Sequence, residues 1–373
     1  DLYTRLTKLP AAVYKIATRA DEVCDVLPIF KVLARAKSEN RNLIALAMGL
    51  PGFMSRVLGP SHGSFLTFGS IDEGTESAPG QITVDELASV FRVRSLTGST
   101  AIAGVLGCPI SHSASPAMHN AAFRSLGADA VYLPIEVRDL RAFFSKFVRP
   151  ETRDLTWNPI GFSVTIPHKR EVIELLDEID ETSRAVGAVN TVVIRGGVLS
   201  GYNTDVQGAM QPLEKRVSLS DRHCAVVGAG GSARAVTYGL VRQGARVTLF
   251  VRDSSKAAAL AKDLNVELCS VQELATSNAE IVINCTPVGM RGHSETESPV
   301  ERNVLRGRLL AYDLVYNPLQ TRFLQDADAE GCQTVSGIEM LAAQAVLQFK
   351  LWTGLSVPLE LMREAALQHL SRH

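Results

Sequence analysis

The chain has 373 residues, of which 46% are hydrophobic and 21% are charged, and its formal net charge is −1. This balance gives no electrostatic reason to expect nucleic acid or an anionic membrane surface as a partner, and no apolar run reaches the roughly 18 residues that a transmembrane helix needs. The six cysteines are scattered without a CxxC pair, so we expect reduced thiols in a cytoplasmic protein and no metal site.

The first part of the chain, residues 1–96, alternates between strand and helix patterns. Apolar runs at 11–20, 42–48 and 64–70 predict three strands, and the apolar spacing over 23–37 predicts a helix between the first two. A loop rich in glycine, serine and glutamate follows at 69–83. This order is typical of β/α units.

A second β/α region begins near residue 99. Its predicted strands are 99–110, 131–137, 160–167, 190–197 and 198–203. In "VTIPHK" (164–169), Pro167 ends a strand because it has no N–H to donate, and Lys169 follows at once. "REVIELL" (170–176) then has the pattern of an amphipathic helix, so an ordinary solvated lysine in its first turn is the alternative to a functional one.

Polar residues recur where these strands end. They are Ser111, Ser113 and Ser115 beside Pro116, then Asn190 and Asp205. Serine hydroxyls and a helix N-terminus together suit a carboxylate ligand. Because α/β proteins place their sites at the ends of strands, these residues predict a site for a small acid.

The third region opens at 223–252 with a strand, a glycine-rich turn, a helix and a second strand. The turn matches the dinucleotide-binding pattern G-x-G-x-x-G/A, whose glycines let a pyrophosphate approach the N-terminus of the helix. Its residues are Gly228, Ala229, Gly230, Gly231, Ser232 and Ala233. Strands predicted at 279–287 and 308–316, and helices at 338–354 and 358–371, complete the region.

The residues at the end of the second strand of this unit indicate whether the cofactor is NADP or NAD. Arg252 and Lys256 favour NADP, because a guanidinium suits the 2′-phosphate. Asp253 is the acidic residue that an NAD site would need, unless it caps the following helix. The residues alone therefore indicate an NADP-linked oxidoreductase acting on a small hydroxy acid.

From about residue 100 to 373 the chain resembles shikimate dehydrogenase. The resemblance rests on the ordered motifs "SHSASPAMHN", "VTIPHK", "GAVNT", "GYNTD", "GAGGSARA", "NCTPVGM", "YDLVYNP" and "GIEMLAAQA". It implies that Lys169 and Asp205 are the catalytic pair, with Lys169 projecting into a cleft between domains. The implied substrate-binding residues are Ser113, Ser115, Thr165, Asn190, Tyr316 and Gln344, and the implied cofactor-binding residues include Thr286 and Gly337.

The same resemblance implies reversible, NADP-dependent reduction of 3-dehydroshikimate to shikimate, a step of aromatic amino acid biosynthesis. Ser163 departs from an asparagine that is frequent in the family, and Val251 and Asp253 depart from its usual Asn-Arg-Thr cofactor motif. The alternatives are a quinate/shikimate dehydrogenase that uses NAD and a non-catalytic regulator of quinate catabolism. Such a regulator need not keep Lys169, Asp205 and the whole glycine loop, all of which are present.

Residues 1–96 resemble the C-terminal part of a type I 3-dehydroquinate dehydratase, a (β/α)₈ barrel. "VYKIATRA" matches the strand that bears its Schiff-base lysine, here Lys15, while Arg56, Ser77 and Gln81 match substrate-binding positions. Only about three strand–helix units are present, and the family's catalytic histidine has no counterpart before Lys15. We therefore expect a fusion of two enzymes that lacks the N-terminal half of its barrel, with dehydratase activity only in a longer parent protein.

The predicted fold class is α/β, with a partial barrel followed by a substrate domain and a Rossmann domain. The predicted boundaries are 1–96 for the barrel segment, 97–205 with helices 340–373 for the shikimate-binding domain, and 206–339 for the NADP-binding domain. The expected compartment is the cytoplasm, or a plastid if the organism is a plant.

Overall fold

The computed structural model describes residues 2–111, 113–292 and 294–372, and across these residues its strands form three sheets. The chain divides into two compact units. The first unit holds the described residues up to Glu178 together with Thr191–Gly201, and the second holds Ile179–Asn190 with the described residues from Tyr202 onward. Within the described part of the chain, no helix combines the length and apolarity needed to cross a membrane.

The first unit begins with a short β/α segment. Its elements are α1 (Leu2–Leu6), β1 (Tyr14–Arg19), α2 (Leu27–Ser38), β2 (Leu43–Met48) and α3 (Phe53–Leu58). β1 and β2 pair in parallel, from Tyr14 opposite Leu43 to Arg19 opposite Met48. The first two predicted strands and the helix between them are therefore confirmed.

The third strand predicted for this segment, at 64–70, is wrong. Ser64 forms a single bridge with Leu43, and Ser70 forms one with Thr83. The Ser64 hydroxyl donates to the Leu66 carbonyl at 2.9 Å, a local bond that competes with a strand ladder. Among the described residues, the segment therefore has two paired strands rather than three.

The second sheet has the strand order β4-β3-β5-β7-β8-β6. Its strands are β3 (Ala101–Gly107), β4 (Ala130–Glu136), β5 (Asn158–Val164), β6 (Glu178–Ile179), β7 (Thr191–Arg195) and β8 (Val198–Tyr202). β3 is parallel to β4 and β5, whereas β5 and β7 are antiparallel. The helices α4 (Ser115–Ser125) and α5 (Leu140–Phe143) follow β3 and β4, and all five strands predicted for this region are present.

The helix predicted at 170–176 is wrong, because the structure has only a short 3₁₀ turn, Glu171–Leu175, there. The chain must already be extended at Asp177, whose backbone N–H donates to the Leu199 carbonyl at 2.9 Å. The turn that carries Lys169 occupies the chain up to Arg170, so only residues 171–176 remain before this bond, fewer than an α-helix of ordinary length has.

The N-terminal segment covers the free edge of the second sheet. Arg92 donates to the carbonyls of Ala128 and Ala130 at 3.2 and 2.7 Å. The Asp129 carbonyl between them accepts from the N–H of Ala101, so the two carbonyls bound by Arg92 face away from β3. Arg92 thus satisfies backbone acceptors at an edge that would otherwise be unpaired.

Arg92→Ala should lower the free energy of unfolding by about 1–3 kcal/mol, because it removes charged hydrogen bonds to two edge carbonyls. Urea unfolding measures this change. Arg94→Ala is the matched control, since Arg94 is exposed, and it should stay within about 0.5 kcal/mol of the wild type. Equal losses in the two variants would show that the edge contact does not stabilise the sheet.

The second unit contains a six-stranded parallel sheet in the order β11-β10-β9-β12-β13-β14. Its strands are β9 (His223–Val227), β10 (Arg246–Val251), β11 (Glu267–Ser270), β12 (Ile281–Asn284), β13 (Leu310–Asp313) and β14 (Gln333–Val335). Counted from β9, this is the order 3-2-1-4-5-6 of the dinucleotide-binding fold.

The helices of this unit pack on the sheet or on one another. They are α6 (Glu181–Val186), α7 (Asp205–Glu214), α8 (Gly231–Arg242), α9 (Ser254–Leu264), α10 (Arg322–Ala329), α11 (Gly337–Thr353) and α12 (Leu359–Arg372). The predicted strand–turn–helix–strand unit and the two terminal helices are confirmed.

The two compact units do not coincide with the three predicted domains. Helices α11 and α12 and the segment 179–190 lie in the second unit, and residues 2–96 share the first unit with most of the second sheet. Asn190 and Asp205 therefore belong to the unit that holds the parallel sheet. The three-domain boundaries stay a prediction.

Candidate active site

The carboxyl ends of β3 and β5 bring two of the predicted motifs together. Thr165 donates its backbone N–H to the Leu106 carbonyl at 2.9 Å, and Cys108 donates to the Ile166 carbonyl at 3.0 Å. A Cβ on Gly107 would lie 2.4 Å from the Thr165 side chain, so only glycine permits this approach. The serine-bearing loop after β3 therefore begins beside the turn that carries Lys169.

The two predicted substrate serines lie at the start of α4. Ser115 is the first residue of the helix, and its N–H donates to the Ser113 hydroxyl at 3.3 Å. Hydroxyls next to a helix N-terminus suit a carboxylate, as the sequence predicts. Ser163, where the family often has asparagine, accepts a 2.7 Å hydrogen bond from the buried Tyr132 hydroxyl.

Lys169 is half-buried in a turn that His168 anchors. The His168 ring is 2% exposed, with Nε2 2.7 Å from the Val137 carbonyl and Nδ1 3.1 Å from Glu171. The His168 carbonyl also accepts from the Val172 N–H. These bonds fix the backbone next to Lys169, a function of His168 that the sequence pattern did not indicate.

In the second unit, Asp205 is held by Asn190. The Asn190 side-chain amide donates to the Asp205 carboxylate at 2.7 Å, while its oxygen accepts from the Thr204 N–H at 2.8 Å. Because the Thr204 N–H can only donate, the amide is oriented with its nitrogen toward Asp205. Both side chains are buried, at 2% and 5% exposure.

Helix α11 packs next to the Asn190–Asp205 pair. A Cβ on Gly208 of α7 would lie 2.8 Å from Cβ of Gln344, so the two helices touch one turn after Asp205. Gln348, one turn beyond Gln344 on α11, donates to the Asn190 carbonyl at 3.2 Å. The structure thus brings Asn190, Asp205 and Gln344 together in one unit, and it adds Gln348, which the motifs did not single out.

The glycine-rich turn has the shape that a dinucleotide needs. Gly228 adopts φ +114, and a Cβ there would lie 3.0 Å from the Thr286 side chain. Gly230, which precedes the first residue of α8, has open space where a Cβ would stand, and Ala233 is fully buried against the sheet. The residues present therefore fit a pyrophosphate at the N-terminus of α8, and they lie beside Thr286.

A buried network holds the two loops that carry Thr286 and Tyr316. The Thr286 hydroxyl donates to Asn284 at 2.7 Å, and the Asn284 amide donates to the Asp313 carboxylate at 2.9 Å. Asp313 also accepts from the Thr321 hydroxyl at 2.6 Å. Burial raises the pKa of Asp313 to about 6, although these hydrogen bonds oppose the rise.

The start of α11 at Gly337 lies close to the loop that carries Tyr316. A Cβ on Gly337, the first residue of α11, would lie 2.4 Å from the Leu314 carbonyl oxygen. Tyr316 is half-buried two residues after Leu314. Glycine therefore allows α11 to begin directly against the loop that presents Tyr316.

The end of β10 carries the residues predicted to choose between NADP and NAD. Asp253 caps α9, since its carboxylate accepts from the Ser255 N–H at 3.1 Å and from the Ser255 hydroxyl at 2.6 Å. These two bonds hold the pKa of Asp253 below its ordinary value. Arg252 and Lys256 are exposed beside this cap. The capping interpretation of Asp253 is thus confirmed.

The residues matched to a dehydratase each make contacts within the N-terminal segment. The exposed Lys15 ammonium lies 4.1 Å from the centre of the Phe68 ring. Arg56 is 1% exposed and donates to the Pro79 carbonyl at 3.2 Å. Ser77 donates both its N–H and its hydroxyl to Gln81. These contacts occupy polar groups that a substrate would need.

A parallel sheet of this strand order, with a glycine-rich turn before α8, defines the dinucleotide-binding class of α/β folds. Four family descriptions match the chain. They are "Type I 3-dehydroquinase" over residues 1–97, "Shikimate dehydrogenase substrate binding domain" over 105–192, "Shikimate / quinate 5-dehydrogenase" over 211–298 and "Shikimate 5'-dehydrogenase C-terminal domain" over 337–367.

Known proteins agree with these descriptions. A shikimate dehydrogenase (NADP(+)) of Methanothermobacter thermautotrophicus is 38% identical over 74% of this chain and 99% of its own length. The crystal structure of shikimate 5-dehydrogenase from Thermus thermophilus, in complex with NADP(H) and shikimate, superposes with a TM-score of 0.64 at 36% identity, over 72% of this chain and 99% of that one. The chain therefore belongs to the shikimate dehydrogenase family.

The bifunctional 3-dehydroquinate dehydratase/shikimate dehydrogenase, chloroplastic, of Arabidopsis thaliana is 35% identical over 96% of this chain. The match covers 61% of the Arabidopsis protein. The chain thus spans less than two thirds of the Arabidopsis protein, and the type I 3-dehydroquinase description matches its residues 1–97.

Proposed function

We propose that the chain catalyses the reversible, NADP-dependent reduction of 3-dehydroshikimate to shikimate. The observation that carries the proposal is the buried Asp205 carboxylate, which Asn190 fixes in the same unit as the glycine-rich turn. Family membership supports the choice of substrate, and the Thermus relative was solved with shikimate and NADP(H).

The chemistry needs a hydride and a proton. NADPH, when bound, supplies the hydride to the carbonyl carbon of 3-dehydroshikimate. Lys169 supplies the proton to the carbonyl oxygen as it becomes a hydroxyl, and it accepts that proton in the reverse direction. Asp205 is the second member of the proposed catalytic pair, and as a carboxylate it accepts a hydrogen bond from the substrate hydroxyl.

The remaining polar residues bind the substrate in this proposal. Ser113 and Ser115 hold the carboxylate at the start of α4. Thr165, Tyr316 and Gln344 contact the ring and its hydroxyls, and Asn190 orients Asp205 besides contacting the substrate. Each of these roles depends on a hydroxyl, phenol or amide that can donate or accept a hydrogen bond.

The direct test is the consumption of NADPH in the presence of 3-dehydroshikimate, followed by its absorbance, with the product identified by mass spectrometry. We expect one shikimate for each NADPH oxidised. The absence of both NADPH oxidation and shikimate binding would refute the proposed function. Turnover of 3-dehydroquinate to quinate with equal efficiency would instead assign the chain to the quinate branch that the family description also includes.

We propose NADP rather than NAD as the cofactor because the Asp253 carboxylate is engaged in capping α9, whereas Arg252 is exposed beside it. Arg252→Ala should therefore raise KM for NADP⁺ by about 10–100-fold, because the lost contacts to the 2′-phosphate are charge-assisted, and it should change KM for NAD⁺ little.

The matched control is Lys262→Ala, which removes a positive charge from the far end of α9. It should leave the preference for NADP⁺ unchanged. An equal effect of Arg252→Ala on both nucleotides would remove Arg252 from the recognition of the 2′-phosphate.

The partner in this proposal is a small molecule, shikimate or 3-dehydroshikimate, with no nucleic acid or membrane involved. We place the reaction in the cytoplasm, or in the plastid of a plant. All six cysteines are free, as expected in a reducing compartment. The name of the Arabidopsis relative includes the word chloroplastic.

A further inference from the structure

One buried arginine of the second unit has no part in the proposed chemistry. Arg234 is the fourth residue of α8, next to the glycine-rich turn, and is 7% exposed. Its guanidinium donates to the Val186 carbonyl at 3.0 Å and to the Asp263 carboxylate at 2.9 Å. Arg234 thus joins the N-terminal part of α8 to two other helices, α6 and α9.

The contact with Val186 is built into the local backbone. Val186 is the last residue of α6, and Gly187 after it adopts φ +67, which only glycine takes without cost. A Cβ on Gly187 would also lie 3.3 Å from the Arg234 guanidinium. Val186, Ala188 and Ala235 form one buried apolar cluster, so α8 holds this segment by packing as well as by hydrogen bonds.

The same short segment leads directly to Asp205. Asn203 donates to the Ala188 carbonyl at 2.8 Å, and Asn190, two residues later, donates to Asp205. The segment 186–190 is therefore fixed by Arg234 at its beginning, and at its end it fixes the proposed catalytic aspartate. A displacement of α8 would therefore shift the segment 186–190, and with it the Asp205 side chain that Asn190 holds.

We propose that Arg234 is a positioning residue that couples the nucleotide site to the substrate site. A dinucleotide bound at the N-terminus of α8 favours one position of that helix, and Arg234 transmits this position to Asn190 and Asp205. Nucleotide and shikimate then raise each other's affinity by the same factor, as thermodynamic linkage requires. This inference rests on the proposed function, because it concerns the two ligands of that reaction.

The coupling can be measured without turnover, because NADPH and shikimate are both reduced and cannot react with each other. The measurement is the dissociation constant of NADPH, from its fluorescence, in the absence of shikimate and at saturating shikimate. We expect shikimate to tighten NADPH by about 5–150-fold in the wild type, the usual range of coupling between two sites. Arg234→Met keeps the apolar stem of the side chain. In this variant, shikimate should change the dissociation constant of NADPH by no more than about twofold.

Two further variants separate coupling from mere stabilisation. Arg242→Met is the matched control, since Arg242 is exposed in the last turn of the same helix, and it should keep the wild-type factor. Asp263→Asn changes a half-exposed partner and leaves the Val186 contact in place, so this variant should fold and lose part of the coupling. It provides the test if Arg234→Met does not fold.

A wild-type coupling factor near one would overturn the inference. So would an Arg234→Met protein that binds both ligands more weakly with an unchanged ratio, because that result describes a structural residue only. If Arg234→Met does not fold, an Asp263→Asn protein in which shikimate tightens NADPH as much as in the wild type would also overturn the inference. If the wild type binds NADPH but neither binds nor oxidises shikimate, the proposed function itself fails, and the inference fails with it.

Discussion

Lys169→Ala should lower kcat for shikimate oxidation by about 10²–10⁴-fold, the usual contribution of a general acid–base group. KM for shikimate should change much less, because the proton transfer matters mainly in the transition state. Steady-state kinetics with NADP⁺ measure both parameters. The half-buried position of Lys169, in a turn whose backbone His168 anchors, is the structural basis of this expectation.

Arg170→Ala is the matched control, because Arg170 is an exposed cation in the same turn. It should leave kcat within about twofold of the wild type, as expected for a surface substitution away from the chemistry. A loss below about tenfold in Lys169→Ala, or equal losses in both variants, would mean that Lys169 is not the proton donor.

The 373-residue polypeptide is expected to show no dehydration of 3-dehydroquinate. Schiff-base catalysis needs an activated amine and a partner for proton transfer. Among the described residues β1 pairs only with β2, and the Lys15 ammonium lies exposed over the Phe68 ring. Ser77 and Gln81 bond to each other rather than lining a closed barrel.

Borohydride reduction in the presence of 3-dehydroquinate, followed by intact-mass analysis, tests this expectation. The wild type should gain no more mass than Lys15→Met, which lacks the amine, and the absorbance of 3-dehydroshikimate should not rise. A stoichiometric adduct on Lys15 accompanied by turnover would contradict the expectation and would assign a working dehydratase to the segment.

Local patterns predicted most of the secondary structure, because they depend on residues close together in sequence. The glycine spacing from Gly228 to Ala233 located the turn before α8. Pro167, which has no N–H to donate, indicated the end of β5, although the strand already ends at Val164. The strand predicted at 64–70 is reduced to single bridges at Ser64 and Ser70, and the Ser64 hydroxyl makes a local bond to the Leu66 carbonyl that competes with a ladder. Nothing in the apolar pattern of that run indicates this competition.

Most of the contacts that hold the candidate site could not be predicted from the sequence. Arg234 reaches a carbonyl 48 residues away, and Gln348 reaches one 158 residues away. Such bonds form only after the chain has folded, so a single sequence carries no local signal for them. The strand-end pattern singled out Asn190 and Asp205, and the resemblance to a family gave their roles, but neither indicated the Thr204 N–H that orients the amide between them.

The most direct test of the central claim is a comparison of kcat/KM for shikimate and quinate, each with NADP⁺ and with NAD⁺, on the wild-type chain. We expect kcat/KM for shikimate with NADP⁺ to exceed that of each of the other three combinations by at least about tenfold, a difference of about 1.4 kcal/mol in transition-state binding. A higher kcat/KM for quinate with NAD⁺, or no oxidation of either acid, would contradict it.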